Sequence, residues 1–312
     1  MQSFNTFFRE LHLVEESIRE EYLAEQYDVL LEKLITFGGQ AYPKFGNIVI
    51  MAGGAGSGKG FVKDNLVGLE GKVFDVDELK TLASKTPAIR KKVKAEFGVD
   101  LEKLAGDLKN PDNVAKLHEI IGDAMNLPDK RMQAFYTSVL TAADDRKPNI
   151  IFDVTLKDLR KLQNLTRQVS NIGYEKENIH VVWVVNDIEV AKAQNAKRDR
   201  TVPVEILVNT HRGASQTMLD IINMGKGLTK YMDGDIVFAF NKVGVDSEIQ
   251  KGTGAGKKIG MKGDTKGGMA ITAANYFYVK RKGKPVTPQE KLSKDLRAKI
   301  QSYVPKNASW ID

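Results

Sequence analysis

Apolar and polar positions along the chain first predict a long helix. From Phe4 to about Phe37 the apolar residues recur every three or four positions, with the charges of "EESIREE" on the opposite face. The segment "GGQAYPKFG", residues 38–46, then breaks this helix, because glycine and proline disfavour it. We expect a helical extension over residues 1–46 that packs against the body of the protein; a partner-binding surface is the alternative.

Five short apolar runs follow, with helical patterns between them. Runs such as "IHVVWVV" are apolar on both faces, as in parallel strands that are covered on both sides. Their alternation with helices predicts an α/β fold, a doubly wound five-stranded parallel sheet over residues 47–245. A polar helical region with prolines at 87, 111 and 128 separates the second strand from the third. The five runs begin at Asn47, Gly71, Pro148, Asn178 and Gly234.

The pattern changes after Asp246. The run "KGTGAGKKIGMKGDTKGG" has neither a helical nor a strand period. A strand-like run, "AITAANYFYVKRKGKP", and an amphipathic helix from Pro288 to about Tyr303 come next. We expect residues 246–312 to form a basic C-terminal extension.

The net charge of +7 is concentrated in that extension. Between Lys251 and Lys284 there are nine basic residues and one acidic residue, which gives a local charge of +8. Each phosphate that a lysine or arginine neutralises adds salt-sensitive affinity, so a nucleic acid is a candidate partner. The stretch "NYFYVKRKGK" also places aromatic residues among basic ones, which suits the stacking of bases. A solubilising segment is the alternative.

Composition excludes several classes of protein. The hydrophobic fraction of 42% and the charged fraction of 28% are ordinary for a globular protein. No apolar run reaches the ~18 residues that a membrane span needs, and the first residues do not resemble a signal peptide. The chain has no cysteine, and its four histidines are not spaced as metal ligands. We therefore expect a cytoplasmic protein with no membrane partner.

The pattern Gly53-x-x-x-x-Gly58-Lys59 follows the first strand and precedes a helix, the setting of a phosphate-binding P-loop. Glycines let backbone N–H groups converge on phosphate oxygens, and the lysine neutralises the β- and γ-phosphates. A glycine-rich turn without a ligand is the alternative. The expected ATP-binding residues are Gly53, Gly54, Ala55, Gly56, Ser57, Gly58, Lys59 and Gly60.

The loop lacks one expected group. A Ser or Thr normally follows the lysine and binds Mg²⁺, but here Gly60 and Phe61 follow it. We expect Mg²⁺ to be held by phosphates, waters and a carboxylate from elsewhere, with help from Ser57. Asp153, at the end of a buried strand, is the expected carboxylate and would act through water.

Further charged groups follow other strands. Asp75 and Asp77 end the second strand, where one carboxylate could accept the proton of an attacking hydroxyl. A helix N-cap is the alternative for any one of these aspartates. Arg198 and Arg200 lie in "AKAQNAKRDRTVP", which suits a lid over the transferring phosphoryl group. A solvated helix end is the alternative there.

Four segments together resemble one family: "GGAGSGKG", "VFDVDELK", "IIFDVTLKDLR" and "QNAKRDRTVP" are similar to the zeta-toxin and polynucleotide-kinase branch of P-loop kinases. The resemblance covers Asn47 to Asn241. It implies that Asp77 is the catalytic base or binds the acceptor hydroxyl, with Asp75 as second choice. It further implies that Asp153, Thr155 and Lys157 match the family's motif after the third strand, with Asp75, Thr155 and Lys157 as the substrate-binding residues. The family's lid matches Asn195, Arg198, Arg200, Val202 and Pro203, and Asn241 would lie beside adenine.

These observations predict an ATP- and Mg²⁺-dependent phosphotransferase, with catalytic residues Lys59, Asp77, Arg198 and Arg200. The expected acceptor is a hydroxyl of a nucleic acid or nucleotide. A kinase of a small acceptor such as a nucleotide sugar is one alternative. A nucleic-acid-binding NTPase, or an inactive nucleotide-binding module, is another.

Overall fold

The computed structural model describes residues 35–40, 43–198, 200–242, 244–251, 269–306 and 310. The predicted N-terminal helix therefore lies mostly outside the described residues. For residues 35–37, at the C-terminal end of that predicted helix, the prediction is wrong. Ile35 forms a parallel bridge with Val67, and Phe37 forms an antiparallel bridge with Gln40. Both apolar side chains are buried, which explains why they repeat in the pattern.

A seven-stranded sheet forms the centre, in the order β2-β3-β1-β4-β5-β7-β6. Its first five members are parallel and match the five predicted runs. The predicted five-stranded sheet is thus too small, because the C-terminal segment adds β7 and β6 in antiparallel pairing. The strands are β1 (Ile48–Ala52), β2 (Lys72–Asp75), β3 (Ile150–Asp153), β4 (Ile179–Val185), β5 (Ile236–Phe240), β6 (Ser247–Lys251) and β7 (Met269–Lys280).

Helices cover both faces of this sheet, and a group of them is inserted between β2 and β3. The predicted breaks at the three prolines are confirmed, since each proline stands in the first turn of a helix. Residues 118–124 form a π-helix. The α-helices are α1 (Lys59–Asn65), α2 (Val76–Lys85), α3 (Pro87–Phe97), α4 (Leu101–Gly106), α5 (Pro111–Leu117), α6 (Leu127–Leu140), α7 (Leu159–Asn171), α8 (Ile188–Ala196), α9 (Val204–Asn223) and α10 (Lys294–Tyr303).

Alternate residues of the strands enter two separate cores. Ile50, Trp183 and Phe238 face a large core under helices such as α7 and α9. Val49 and Val182 face a smaller core, which also contains residues of α1 and the two buried residues at 35 and 37. Strands β1, β4 and β5 are buried along their whole length. This explains why their sequences are apolar at every position rather than at every second one.

The C-terminal segment belongs to this core. In the register of β5 with β7, Phe238 lies opposite Phe277. The Trp310 ring is fully buried and stacks on Trp183, with ring centroids 5.9 Å apart. The predicted strand and the predicted helix after Pro288 are both present, while the glycine-lysine run at 252–268 lies outside the described residues. Among the residues that are described, no helix is long and apolar enough to cross a membrane.

Candidate active site

The glycine-rich loop connects β1 to α1 and carries the predicted phosphate-binding pattern. Gly58 is the N-cap of α1, with φ of 86° in the left-handed region that favours glycine. A Cβ atom at this position would lie 2.0 Å from the side-chain nitrogen of Asn241. Glycine is therefore required here for its conformation and for the space it leaves.

Hydrogen bonds hold the loop from several sides. The Lys59 ammonium group donates to the carbonyl of Gly53 at 3.0 Å, and the Gly53 N–H donates to the carbonyl of Thr155 at 3.2 Å. The Asn241 side chain donates to the carbonyl of Ser57 at 2.9 Å. Asn241 is buried beneath the loop, and it is not among the residues that line the cavity above it. In this structure the Asn241 side chain supports the loop, and its expected place beside adenine stays a prediction.

Two residues of α9 support the loop, and the sequence did not reveal them. A ring nitrogen of His211, Nε2, lies 2.8 Å from the carbonyl oxygen of Ala55, and the N–H of Ala55 donates to the Thr210 hydroxyl at 3.2 Å. Gly54 packs against the His211 ring so closely that a Cβ atom would lie 2.1 Å from it. Burial lowers the pKa of His211, and the charge of Lys59 lowers it further, so the ring is neutral and donates from Nε2. A lone histidine in an amphipathic helix gives no signal of this contact.

Above the loop lies a cavity of about 390 Å³. Phe61 does not plug it, because that ring packs against the smaller core. The Ser57 hydroxyl is fully buried and has no hydrogen-bond partner among the described residues. The cavity brings together most of the predicted site residues: Ala55, Gly56, Ser57, Gly58, Lys59, Gly60, Asp75, Asp77, Asp153, Thr155, Arg198, Arg200 and Val202. Gln194 also lines it and was not predicted.

Two carboxylates stand side by side at the edge of the sheet. Asp75 and Asp153 are partners in the register of β2 with β3. The Asp153 carboxylate lies 3.5 Å from the Lys59 ammonium group. Burial raises the pKa of Asp153, and Lys59 offsets only part of that effect. The Asp75 carboxylate accepts the N–H of Asp77 at 2.8 Å and so caps α2, which is the alternative that the sequence left open.

Asp77 is paired with two cations. Its carboxylate lies 2.7 Å from the Arg200 guanidinium group and 3.2 Å from the ammonium group of Lys80, which is buried. Burial alone would raise the pKa of Asp77, but Arg200 and Lys80 outweigh it, so the pKa lies below its ordinary value. The carboxylate is thus ionised at neutral pH and already aligned by two partners. Lys80 was not predicted, although its position one helical turn after Asp77 fits such a contact.

The predicted lid connects α8 to α9 and is tied down at both sides. Asn195 fixes Val202 by two hydrogen bonds, one to its carbonyl at 2.7 Å and one from its N–H at 3.0 Å. Thr201 donates to the carbonyls of Leu108 and Lys109 in the inserted helices. Arg198 is exposed at the rim of the cavity.

Some predicted residues do not line the cavity: Gly53, Gly54, Lys157, Asn195, Pro203 and Asn241. Lys157 is exposed and does not line the cavity, and its Cβ atom packs near Gly213 of α9. Thr155 lines the cavity and also holds Gly53 through its carbonyl.

The donor set can be tested for Mg²⁺. This ion prefers oxygen ligands in octahedral geometry, and it is usually bound by one or two carboxylates together with substrate phosphates and waters. Among the described residues, no group of three or more histidines, cysteines, aspartates or glutamates could hold a metal by itself. Asp153 and Asp75 supply the carboxylate oxygens that a phosphate-bound Mg²⁺ requires. The residues therefore fit a metal that arrives with the nucleotide.

Comparisons with known proteins give distant likenesses only. No protein-family model matches the sequence, and no curated protein matches it. One similar solved chain comes from the PezAT chromosomal toxin-antitoxin system of Streptococcus pneumoniae. It is 14% identical with a TM-score of 0.33, and the match covers 70% of this chain and 74% of that one.

Chains from two AvrRxo1-ORF1:ORF2 complexes are also similar. The complex with ATP is matched at 10% identity and a TM-score of 0.39, over 86% of this chain and 76% of that one. The complex with sulphate ions is matched at 12% identity and a TM-score of 0.38, over 83% of this chain and 64% of that one.

Proposed function

We propose that this protein is an ATP-dependent phosphotransferase that acts on a hydroxyl group. One observation carries the proposal: Lys59, Asp77, Asp153 and Arg200, from four separate segments, converge on one cavity above a glycine-rich strand-to-helix loop. Such a loop offers N–H groups and a lysine to a triphosphate. The carboxylates and guanidinium groups opposite it are the groups that phosphoryl transfer uses.

The proposed step exchanges one oxygen-phosphorus bond for another. The acceptor oxygen forms a bond to the γ-phosphorus, and the bond from that phosphorus to the β–γ bridging oxygen breaks, which releases ADP. Asp77 orients the hydroxyl group and takes its proton, which then passes to solvent. Arg200 has to exchange Asp77 for the transferring phosphoryl group, whose spreading charge it stabilises together with Lys59 and Arg198.

Mg²⁺ belongs to the same proposal. Asp153 would hold the ion through water, with Asp75 beside it, and the ion would neutralise charge on the phosphates when bound. The absent hydroxyl after Lys59 makes these carboxylates more important than in a loop that has one.

The acceptor that we propose is a hydroxyl of a nucleotide or nucleic acid, with a nucleotide sugar as the alternative. One observation weighs against stacked nucleic acid at the C-terminal segment. The Tyr278 hydroxyl is bonded to the backbone of Thr36, and the Arg281 guanidinium group covers the tyrosine ring at 3.3 Å. This ring is therefore already used inside the fold.

The test supplies ATP labelled at the γ-phosphate to the full chain with separate acceptors: a 5′-hydroxyl oligonucleotide, nucleoside monophosphates and nucleotide sugars. We expect label on an acceptor, and a loss of about 10³-fold or more in Lys59→Met, since loop lysine and phosphate contacts act mainly in the transition state. The melting temperature of Lys59→Met should stay close to that of the wild type. Release of free phosphate without labelled acceptor would favour an NTPase instead, and no consumption of ATP would overturn the proposal.

A further inference from the structure

A second, smaller concavity adjoins the cavity above the loop. We call it the side groove; its volume is about 50 Å³. It lies between the end of β2, the start of α2, and helices α6 and α7. Asp75 lines both the cavity and the side groove, so the two are adjacent at the end of β2.

The floor of the side groove is apolar and only partly covered. Phe74 stacks on Phe152, with ring centroids 5.6 Å apart, and Val154 packs against the same core without being fully buried. An apolar surface beside a polar cavity is suited to a ring or alkyl group of a ligand. The apolar residues of the floor are Phe74, Val76, Leu79, Met132, Phe152, Val154 and Leu165.

Two cations stand at the rim of this floor. The Arg131 guanidinium group lies 5.7 Å from the centre of the Phe74 ring, and Lys161 approaches from α7. Neither side chain forms an ion pair with a carboxylate within the part of the chain that the structure describes. Two acidic side chains, Asp75 and Asp129, also line the side groove. A guanidinium and an ammonium group without carboxylate partners suit an anionic substituent such as a phosphate.

The size of the side groove restricts its occupant. A volume of 50 Å³ holds roughly three to five water molecules, because each needs about 10–15 Å³ of such space. That is room for one small ring or a branched alkyl group. It is too little for a run of stacked bases.

From these features we propose that the acceptor is a small anionic molecule rather than a polynucleotide. Its reacting hydroxyl lies at Asp77, its single ring or apolar group enters the side groove, and its phosphate or carboxylate meets Arg131 and Lys161. This inference rests on the proposed function, since it names the substrate class of the same site. Nucleoside monophosphates have a hydroxyl group, a ring and a phosphate.

The test measures initial rates of label transfer from γ-labelled ATP to nucleoside monophosphates, with a 5′-hydroxyl oligonucleotide as the competing acceptor. Arg131→Gln should raise the KM for the monophosphate about tenfold or more, because a charge-assisted contact is lost. Val154→Phe, which fills the groove, should do the same. In both variants the KM for ATP should stay within about twofold, since the ATP contacts that we propose are at the loop.

A matched control is Arg167→Gln, an exposed change on the same helix as Lys161, which should leave both KM values unchanged. If Val154→Phe fails to fold, Arg131→Gln and Lys161→Gln at the rim still decide the question. Transfer to the oligonucleotide alone, or a monophosphate KM that these variants do not change, overturns the small-acceptor inference and leaves the phosphotransferase intact. Transfer to neither of these acceptors nor to nucleotide sugars, with ATP still bound, overturns the proposed function as well.

Discussion

The two sides of the cavity are built differently. The phosphate loop is held by backbone groups and by buried side chains such as Asn241 and His211, which are 3% and 6% exposed. The acceptor side is held by pairs of charged side chains, and the Asp77 side chain there is 50% exposed. One side is fixed by neutral hydrogen bonds in the interior, the other by ion pairs that solvent reaches.

This difference determines how readily each side of the cavity can change its contacts. Leaving a buried polar group without its partner costs about 1–3 kcal/mol, so these hydrogen bonds strongly stabilise the present conformation of the loop. Asp77 keeps Lys80 as a partner, and a phosphate offers Arg200 the same charge-assisted contacts, so Arg200 can exchange Asp77 for a phosphate. The loop is expected to be preformed, while the lid is expected to change partners.

The largest effect is expected on the acceptor side. Asp77→Asn keeps the size of the side chain but removes the charge that orients the hydroxyl and accepts its proton. We expect kcat to fall by about 10²–10⁴, the range of a general base, with the KM for ATP little changed. Rates measured at saturating ATP and acceptor check this.

Asp112→Asn, on the surface of the inserted helices, is the matched control and should behave as the wild type. A kcat for Asp77→Asn within tenfold of the wild type would exclude Asp77 as the base and would leave it as an anchor for Arg200.

A smaller effect is expected from the support of the loop. His211→Leu removes the donor to Ala55 and leaves a buried carbonyl without its partner, which costs about 1–3 kcal/mol, or roughly 5- to 150-fold in the KM for ATP. His211→Gln can still donate and should recover most of the loss. ATP titrations of both variants check this; equal affinities for ATP would mean that the hydrogen bond is unimportant.

The packing of the same histidine can be tested separately. Gly54→Ala should damage ATP binding because of the approach of the His211 ring, and His211→Ala in the same chain should restore part of it. Additive losses in the double variant would contradict the contact.

The smallest effect is expected at Asp75. Asp75→Ala removes the N-cap of α2 and should lower the free energy of unfolding by about 0.5–2 kcal/mol, whereas Asp75→Asn should preserve it, because asparagine caps helices equally well. Denaturant unfolding checks this comparison. A loss of activity in Asp75→Asn that equals that of Asp77→Asn, with stability preserved, would mean that the Asp75 carboxylate acts in the reaction, as metal ligand or as base, and not only as a helix cap.

Much of the parallel sheet was predictable, because buried strands require apolar residues at successive positions. The run from Ile179 to Val185 is the clearest case. The phosphate loop was predictable for a similar reason: Gly58 has a backbone conformation and a neighbour that other residues do not tolerate. The cluster of Lys59, Asp77 and Asp153 followed from one rule, that parallel strands end at the same edge of a sheet.

Other features depend on contacts between distant residues that no local pattern records. Arg200 meets Asp77 only because the lid, between α8 and α9, passes beside the inserted helices. His211 meets Ala55, 156 positions away, through the packing of α9 on the loop. The pairing of β5 with β7 was likewise missed, since the intervening residues are rich in glycine and lysine and suggested a separate extension. Asn241 was assigned to adenine by resemblance, and no local pattern indicated that its side chain donates a hydrogen bond to the loop.

The pairing of β5 with β7 has a practical consequence for shortened chains. A protein that ends at Asp246 would lack the neighbour of β5 and would uncover Phe238, together with the face of Trp183 that now meets Trp310. An unpaired apolar edge strand can pair with strands of other molecules and so cause aggregation. Deletion of the basic region would therefore measure solubility, and point changes of its lysines are the better test of whether a nucleic acid binds there.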